Sequence, residues 1–206
     1  VIAYSIYKVM DKIMLGSLSS VTQLGLYENA EKIINIPVGI INAFGTVMMP
    51  RISALVARKD DGKISNYMQQ AFKYFSLIAI GMTFGLIGVS QILSPVYFGE
   101  QFIGSSPLIA GLSISLIFMV WANIIRTQYL IPNKQDKPYV ISTIIGAVIN
   151  LGFNLALIPH IGAKGALIGT VLAEFSVFFV QAISVRKQLN LKKYLKPSIG
   201  FLIAGG

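Results

Sequence analysis

The sequence predicts an all-α, polytopic transmembrane helix bundle of about six spans plus the start of another. Of 206 residues, 54% are hydrophobic and only 12% are charged, where a soluble domain carries about 25% charged residues. Mean hydropathy is +0.70. The apolar residues fall in runs long enough to cross a bilayer, which takes roughly 20 of them. Short connections between the runs hold most of the charge. That distribution argues against nucleic acid as a partner in spite of the net charge of +9, because cations in short links are the pattern of cytoplasmic membrane loops. There is no Cys and only one His, so neither a thiolate nor a zinc site is expected, and no metal or cofactor. His160 reads as a surface residue of a turn rather than a catalyst.

Taken in order, the spans fall at about 1–18, 26–49, 74–93, 108–130, 139–158 and 166–185. Residues 1–197 are expected to form one bundle, and 198–206 the truncated start of a further span in a chain that is a slice of a longer protein. The first span carries Lys8, Asp11 and Lys12, each costing ~2.5–3.5 kcal/mol on insertion scales if it faced lipid. Lys8 and Asp11, three residues apart, can pair. Pro37 lies inside the second span, where proline kinks a helix, and Pro50 is expected to end it. Residues 51–73 carry five cations, with Ile64, Tyr67, Met68, Ala71, Phe72 and Phe75 at helical spacing. That reads as an amphipathic helix lying in the membrane interface.

The third span holds Gly81 and Gly85, and the sixth Gly165, Gly169 and Ala173. Small residues at this spacing let helix backbones approach closely. The fourth span places Asn123, Arg126 and Gln128 in its last third, and residues 131–138 form a tight turn bounded by prolines. The fifth places Asn150 and Asn154 on one face, and Glu174 is the lone acid of the sixth. The connections at 50–73, 131–138 and 186–197 hold twelve of the 17 cations, and the alternate ones hold only Lys164. By the positive-inside rule the first three are cytoplasmic, in a multi-pass protein of the cell membrane.

The stretch that points to function is 25–50. Glu28, Lys32, Asn35, Gly39, Asn42 and Thr46 recur every three or four residues, which on a helix is one continuous face. A polar stripe on a membrane helix turns toward other helices or a wet cavity. Lys8, Lys32 and Arg126 are candidate cations for an anionic substrate. Asn35, Asn42, Asn150 and Asn154 are candidate partners for sugar hydroxyls, and Asp11, Glu31 and Glu174 could balance the cations or carry a coupling ion.

Asp11, Leu15–Gly16, Gly25, Tyr27, Ala30 and Pro50, with FGEQF at 98–102 and IGAKGA at 161–166, resemble the polysaccharide repeat-unit flippases of the multidrug/oligosaccharidyl-lipid/polysaccharide exporter superfamily. Glu31–Lys32 followed by Ile36–Pro37–Val38–Gly39 is similar to the acidic–basic pair and F-P-x-G of the related lipid II flippases, with Lys for Arg and Ile for Phe. Lysine is a point charge where arginine is a bidentate fork.

The resemblance covers nearly the whole chain and corresponds to the family's second half. It implies one half of a pseudo-two-fold transporter working by alternating access on a polyprenyl-pyrophosphate-linked oligosaccharide, moved from the inner to the outer leaflet. Membrane lipids, glycosyltransferases and a polysaccharide polymerase would be its partners. A drug exporter of the same superfamily is the alternative. A membrane enzyme of lipid-linked sugars would need a larger outer loop and a nucleophile–base pair, and neither is present in the sequence.

Overall fold

The computed structural model describes the backbone of residues 2–205 and the side chains of residues 9–198, 200 and 201. The chain is a polytopic membrane bundle, 91% helical. Its helices are α1 (Ile2–Leu18), α2 (Val21–Ala57), α3 (Asp61–Phe98), α4 (Ser106–Ser113), α5 (Ser115–Ile125), α6 (Asp136–Ile161), α7 (Ala163–Val185) and α8 (Leu191–Gly205). A 3-10 turn, Glu100–Ser105, precedes α4, and a π-helical turn, Arg126–Leu130, follows α5. Among the described residues five stretches are long and apolar enough to span a membrane: α2, α3, Glu100–Leu130, α6 and α7. In Glu100–Leu130, 72% of the most apolar window is buried, against 28–33% in the other four. That broken span is the central strut, and the others wrap it.

Local chemistry explains the ends and the breaks. Ser20 caps α2 by accepting from the Gln23 N–H, and Asp60 caps α3 by accepting from the Lys63 N–H. The central strut breaks at Ile114 because two side chains cross there. Thr83 Oγ1 donates to the Ser113 carbonyl at 2.9 Å, and the Ile117 N–H reaches back to Ile114 instead. The π turn is closed by the Ile131 N–H donating to the Arg126 carbonyl five residues earlier, at 2.9 Å. Such turns concentrate at functional sites.

Several expectations are corrected. Pro50 does not end the second helix, which runs on to Ala57. Proline costs one backbone bond, and a membrane helix can re-satisfy the freed groups locally. Residues 51–73 are therefore not a separate interfacial helix but the end of α2 and the start of α3. The apolar spacing there is real, but it faces protein. Ile64, Met68, Ala71 and Phe72 are buried, Phe72 stacks on Tyr194 of α8, and the Tyr194 hydroxyl lies 2.7 Å from that of Ser65. The last helix starts at Leu191, ahead of the expected 198.

The glycine seams divide. A methyl at Gly81 or Gly85 would meet nothing within 4 Å, so that pair packs against no neighbour. A methyl at Gly165 would lie 2.7 Å from the Leu157 carbonyl carbon, and one at Gly169 would collide with the Asn154 amide oxygen. These two glycines, with Gly146 facing Ala173 and Val177, set how closely α6 and α7 approach. We expect Gly165→Val to lower the thermal unfolding midpoint of the detergent-solubilised protein by several degrees, because backbone atoms at 157 and 158 cannot move aside. Gly85→Ala should leave it within a degree. A differential scanning measurement of the two variants checks both.

Candidate functional site

Four helices bring one buried carboxylate its partners. Asp11 of α1 is 7% exposed. Its Oδ1 accepts from Asn154 Nδ2 at 2.6 Å, and its Oδ2 accepts from Tyr27 Oη and Thr170 Oγ1, both at 2.9 Å. Asn154 also donates to Asn150 Oδ1 at 3.0 Å. Tyr27 is on α2, Asn150 and Asn154 on α6, and Thr170 on α7. The residues touching Asp11 lie six or seven positions from the same-end termini of their helices, about 10 Å in from that end at the α-helical rise. Gln23 Oε1 accepting from the Ala163 N–H and Ser105 Oγ donating to the Leu26 carbonyl close the bundle at this end. One turn away, Lys12 Nζ pairs with Glu31 Oε2 at 3.0 Å, a half-exposed bridge between α1 and α2.

The second polar group lies toward the opposite end, which carries most of the cations. Asn42 of α2 accepts from Asn123 Nδ2 at 3.1 Å, and Thr127 Oγ1 donates to the Asn123 carbonyl. Gly45 permits this crossing, because a methyl there would lie 2.6 Å from Asn123 Oδ1. Arg126, the first residue of the π turn, holds its guanidinium 5.5 Å from the Tyr139 ring centre, a cation–π contact.

Two adjoining recesses connect these groups. One includes Asp11, Tyr27, Glu31, Asn35 and Thr170 in its lining. The other includes Asn42, Asn123, Arg126, Tyr139, Thr143 and Gln181. Val38, Met119 and Glu174 line both, so the buried Glu174 stands where they meet. The track goes on to Thr46 and Met49 through a third recess that also contains Arg126 and Tyr139. It is polarised, with carboxyl groups at one end and in the middle and a guanidinium at the other.

Of the stripe on α2, Asn35, Asn42 and Thr46 line this track, whereas Glu28, Lys32 and Gly39 do not. Lys32, Asn35, Gly39, Asn42 and Thr46 are exposed and Glu28 is half-buried. Asn35 faces the acidic recess and Asn42 the basic one. Lys32 donates to Asn29 Oδ1 at 3.3 Å. Asn150 and Asn154 are completely buried in the Asp11 cluster. Lys8 lies outside the residues whose side chains are described. Thr170, Thr143, Tyr139 and Gln181 escaped sequence reasoning. Gln181 carried a signal, since it lies two helical turns from Glu174 on the same face of an otherwise apolar run.

Comparison with known proteins places this arrangement. A solved structure of a lipid II flippase MurJ, in an inward closed conformation, superposes with a TM-score of 0.83 at 19% identity, covering 99% of this chain and 44% of that one. A putative O-antigen transporter of Shigella dysenteriae is 22% identical over 88% of this chain and 45% of its own length. A probable low-salt glycan biosynthesis flippase, Agl15, of Haloferax volcanii is 23% identical over 81% of this chain and 35% of its own. The chain thus spans less than half the length of these relatives. The family model for the lipid II flippase MurJ matches residues 3–203, nearly every residue of the sequence, and the chain belongs to that family.

Proposed function

We propose that the protein containing this chain is a flippase that carries a polyprenyl-pyrophosphate-linked oligosaccharide from the inner to the outer leaflet of the cell membrane by alternating access. This chain would form one of its two pseudo-symmetric halves. The observation that supports this reading above the others is the exposed polar stripe of α2, whose Asn35, Asn42 and Thr46 line a charge-polarised track. A diphosphate-linked sugar needs cations for its phosphates and amides or hydroxyls for its sugar, sheltered from lipid. Arg126 and Lys32 provide the cations, and Asn35 and Asn42 the amides. Relatives named for O-antigen transport, glycan biosynthesis and lipid II support the same reading. Glycosyltransferases would supply the substrate, and a polysaccharide polymerase would consume it.

In this reading Asp11, with Asn150, Asn154 and Thr170 around it, is the candidate for ion coupling. Its oxygens face donors from α2, α6 and α7, so a cation bound there would rearrange contacts on three helices at once. Glu31 is engaged by Lys12, and Glu174 borders both recesses. In this reading the connections at 50–73, 131–138 and 186–197, with their twelve cations, are cytoplasmic, so Arg126 would lie toward the loading side and Asp11 toward the outer surface.

We expect Arg126→Gln and Lys32→Ala each to reduce surface polysaccharide in producing cells at least tenfold at matched membrane levels. Wild-type polysaccharide from both variants would overturn the assignment of these cations. Asp11→Asn keeps a side chain of the same shape but removes the charge. It should abolish ion-dependent uptake of substrate into proteoliposomes while the purified protein still elutes as a single folded species. A cysteine replacing Lys63 should resist an impermeant maleimide in intact cells and react after permeabilisation. Ready labelling of intact cells would reverse the topology.

A further inference from the structure

We infer that Gln181 reads the sugar joined to the diphosphate, by accepting a hydrogen bond from a hydroxyl or acetamido N–H of that sugar in the recess it shares with Arg126. The inference rests on the flippase reading of the same recess and adds a specificity-determining residue to it.

Gln181 is 1% exposed and lines that recess. Its Nε2 donates to Ser142 Oγ at 3.1 Å, and its Oε1 has no partner. The orientation of this amide is fixed by its neighbour. Ser142 is fully buried, and its hydroxyl proton is committed to the Tyr139 carbonyl at 2.7 Å. The hydroxyl can then offer Gln181 only a lone pair, so the amide must present its nitrogen to Ser142 and keep its oxygen for something else. A buried carbonyl without a donor is costly, and a folded protein retains one where a ligand or water completes it.

The same relay leads to the anion-binding group. Gln181 bonds Ser142, Ser142 bonds Tyr139, and the Tyr139 ring lies under the Arg126 guanidinium. One run of contacts therefore links Arg126 and an amide with an unpartnered oxygen, both on residues that line a single recess. Thr143, the next residue on α6, adds a hydroxyl to the lining, and Asn42 and Asn123 add amides. A bare phosphate ester has no donor to give Gln181, but a sugar has several. The chemical class that satisfies both ends of the recess is a glycosyl diphosphate.

Equilibrium binding to the solubilised full-length protein tests this with two probes, undecaprenyl pyrophosphate and undecaprenyl-pyrophosphoryl-N-acetylglucosamine. The wild type should bind the sugar-bearing probe about tenfold more tightly than the bare one. Gln181→Met, of similar volume but with no acceptor, should erase that difference and bind the bare probe as the wild type does, which also reports that it is folded. Should it fail to fold, Ser142→Ala frees the amide to turn and should reduce the same difference. Equal binding of both probes by the wild type, a difference that survives the variant, or a parallel loss of both probes in the variant would overturn the role of Gln181 and leave the flippase reading standing. If the wild type bound neither probe, that reading would fall and this inference with it.

Discussion

The arrangement of this bundle depends on the burial of one carboxylate. Placing Asp11 inside a membrane protein is costly unless donors meet it. The donors come from three other helices, Tyr27 on α2, Asn154 on α6 and Thr170 on α7. Each contact requires its helix to arrive at one depth and one rotation. Gly169 lets α7 come close enough, because a side chain there would strike the Asn154 amide. The acidic residue thus fixes the register of α1, α2, α6 and α7 at one end of the molecule, and apolar packing alone, which is tolerant of sliding, would not.

At the other end α2 has fewer obligations. It touches the central strut through the Asn42–Asn123 amide pair, where Gly45 removes the steric barrier. Asn35 and Thr46 of its polar stripe line the recesses, and among the described residues Lys32 bonds only Asn29 of its own helix. A membrane helix with Lys32, Asn35, Asn42 and Thr46 exposed would be poorly matched to hydrocarbon. In the flippase reading, the exposed stripe is the face that a second half of the transporter would complete.

How much of this was legible in the sequence follows from the range over which each signal acts. The stripe on α2 and the apolar face of Ile64, Met68 and Phe72 are periodicities within one helix, and both are present in the structure. What periodicity cannot give is the identity of the facing surface. The Ile64–Phe72 face read as lipid-directed because α8, which covers it through Tyr194, begins about 120 residues later in the chain. Gly81–Gly85 and Gly165–Gly169 have the same spacing, yet among the described residues only the second pair has a helix against it: α6 and α7 pack along each other, and a methyl at Gly81 or Gly85 would meet nothing within 4 Å. Pro50 misled for a related reason, since the rule that proline ends helices belongs to water-exposed chains. Asp11, Asn150 and Asn154 were identifiable as polar residues in apolar runs, but their convergence was not. Thr170 was silent because a lone threonine in a membrane helix usually bonds its own backbone.

The polarity of the track has a consequence for a carrier. Charges in a poorly hydrated recess interact over longer distances than in water, because the medium screens them less. An anionic head group at Arg126 and a cation at Asp11 would each lower the cost of the other's presence. In the flippase reading, a substrate that loads at the guanidinium moves on only when a bound cation neutralises the acidic end. Coupling of this kind needs no dedicated relay. It follows from placing opposite charges at the two ends of one continuous recess whose walls are shared by α2, the central strut, α6 and α7.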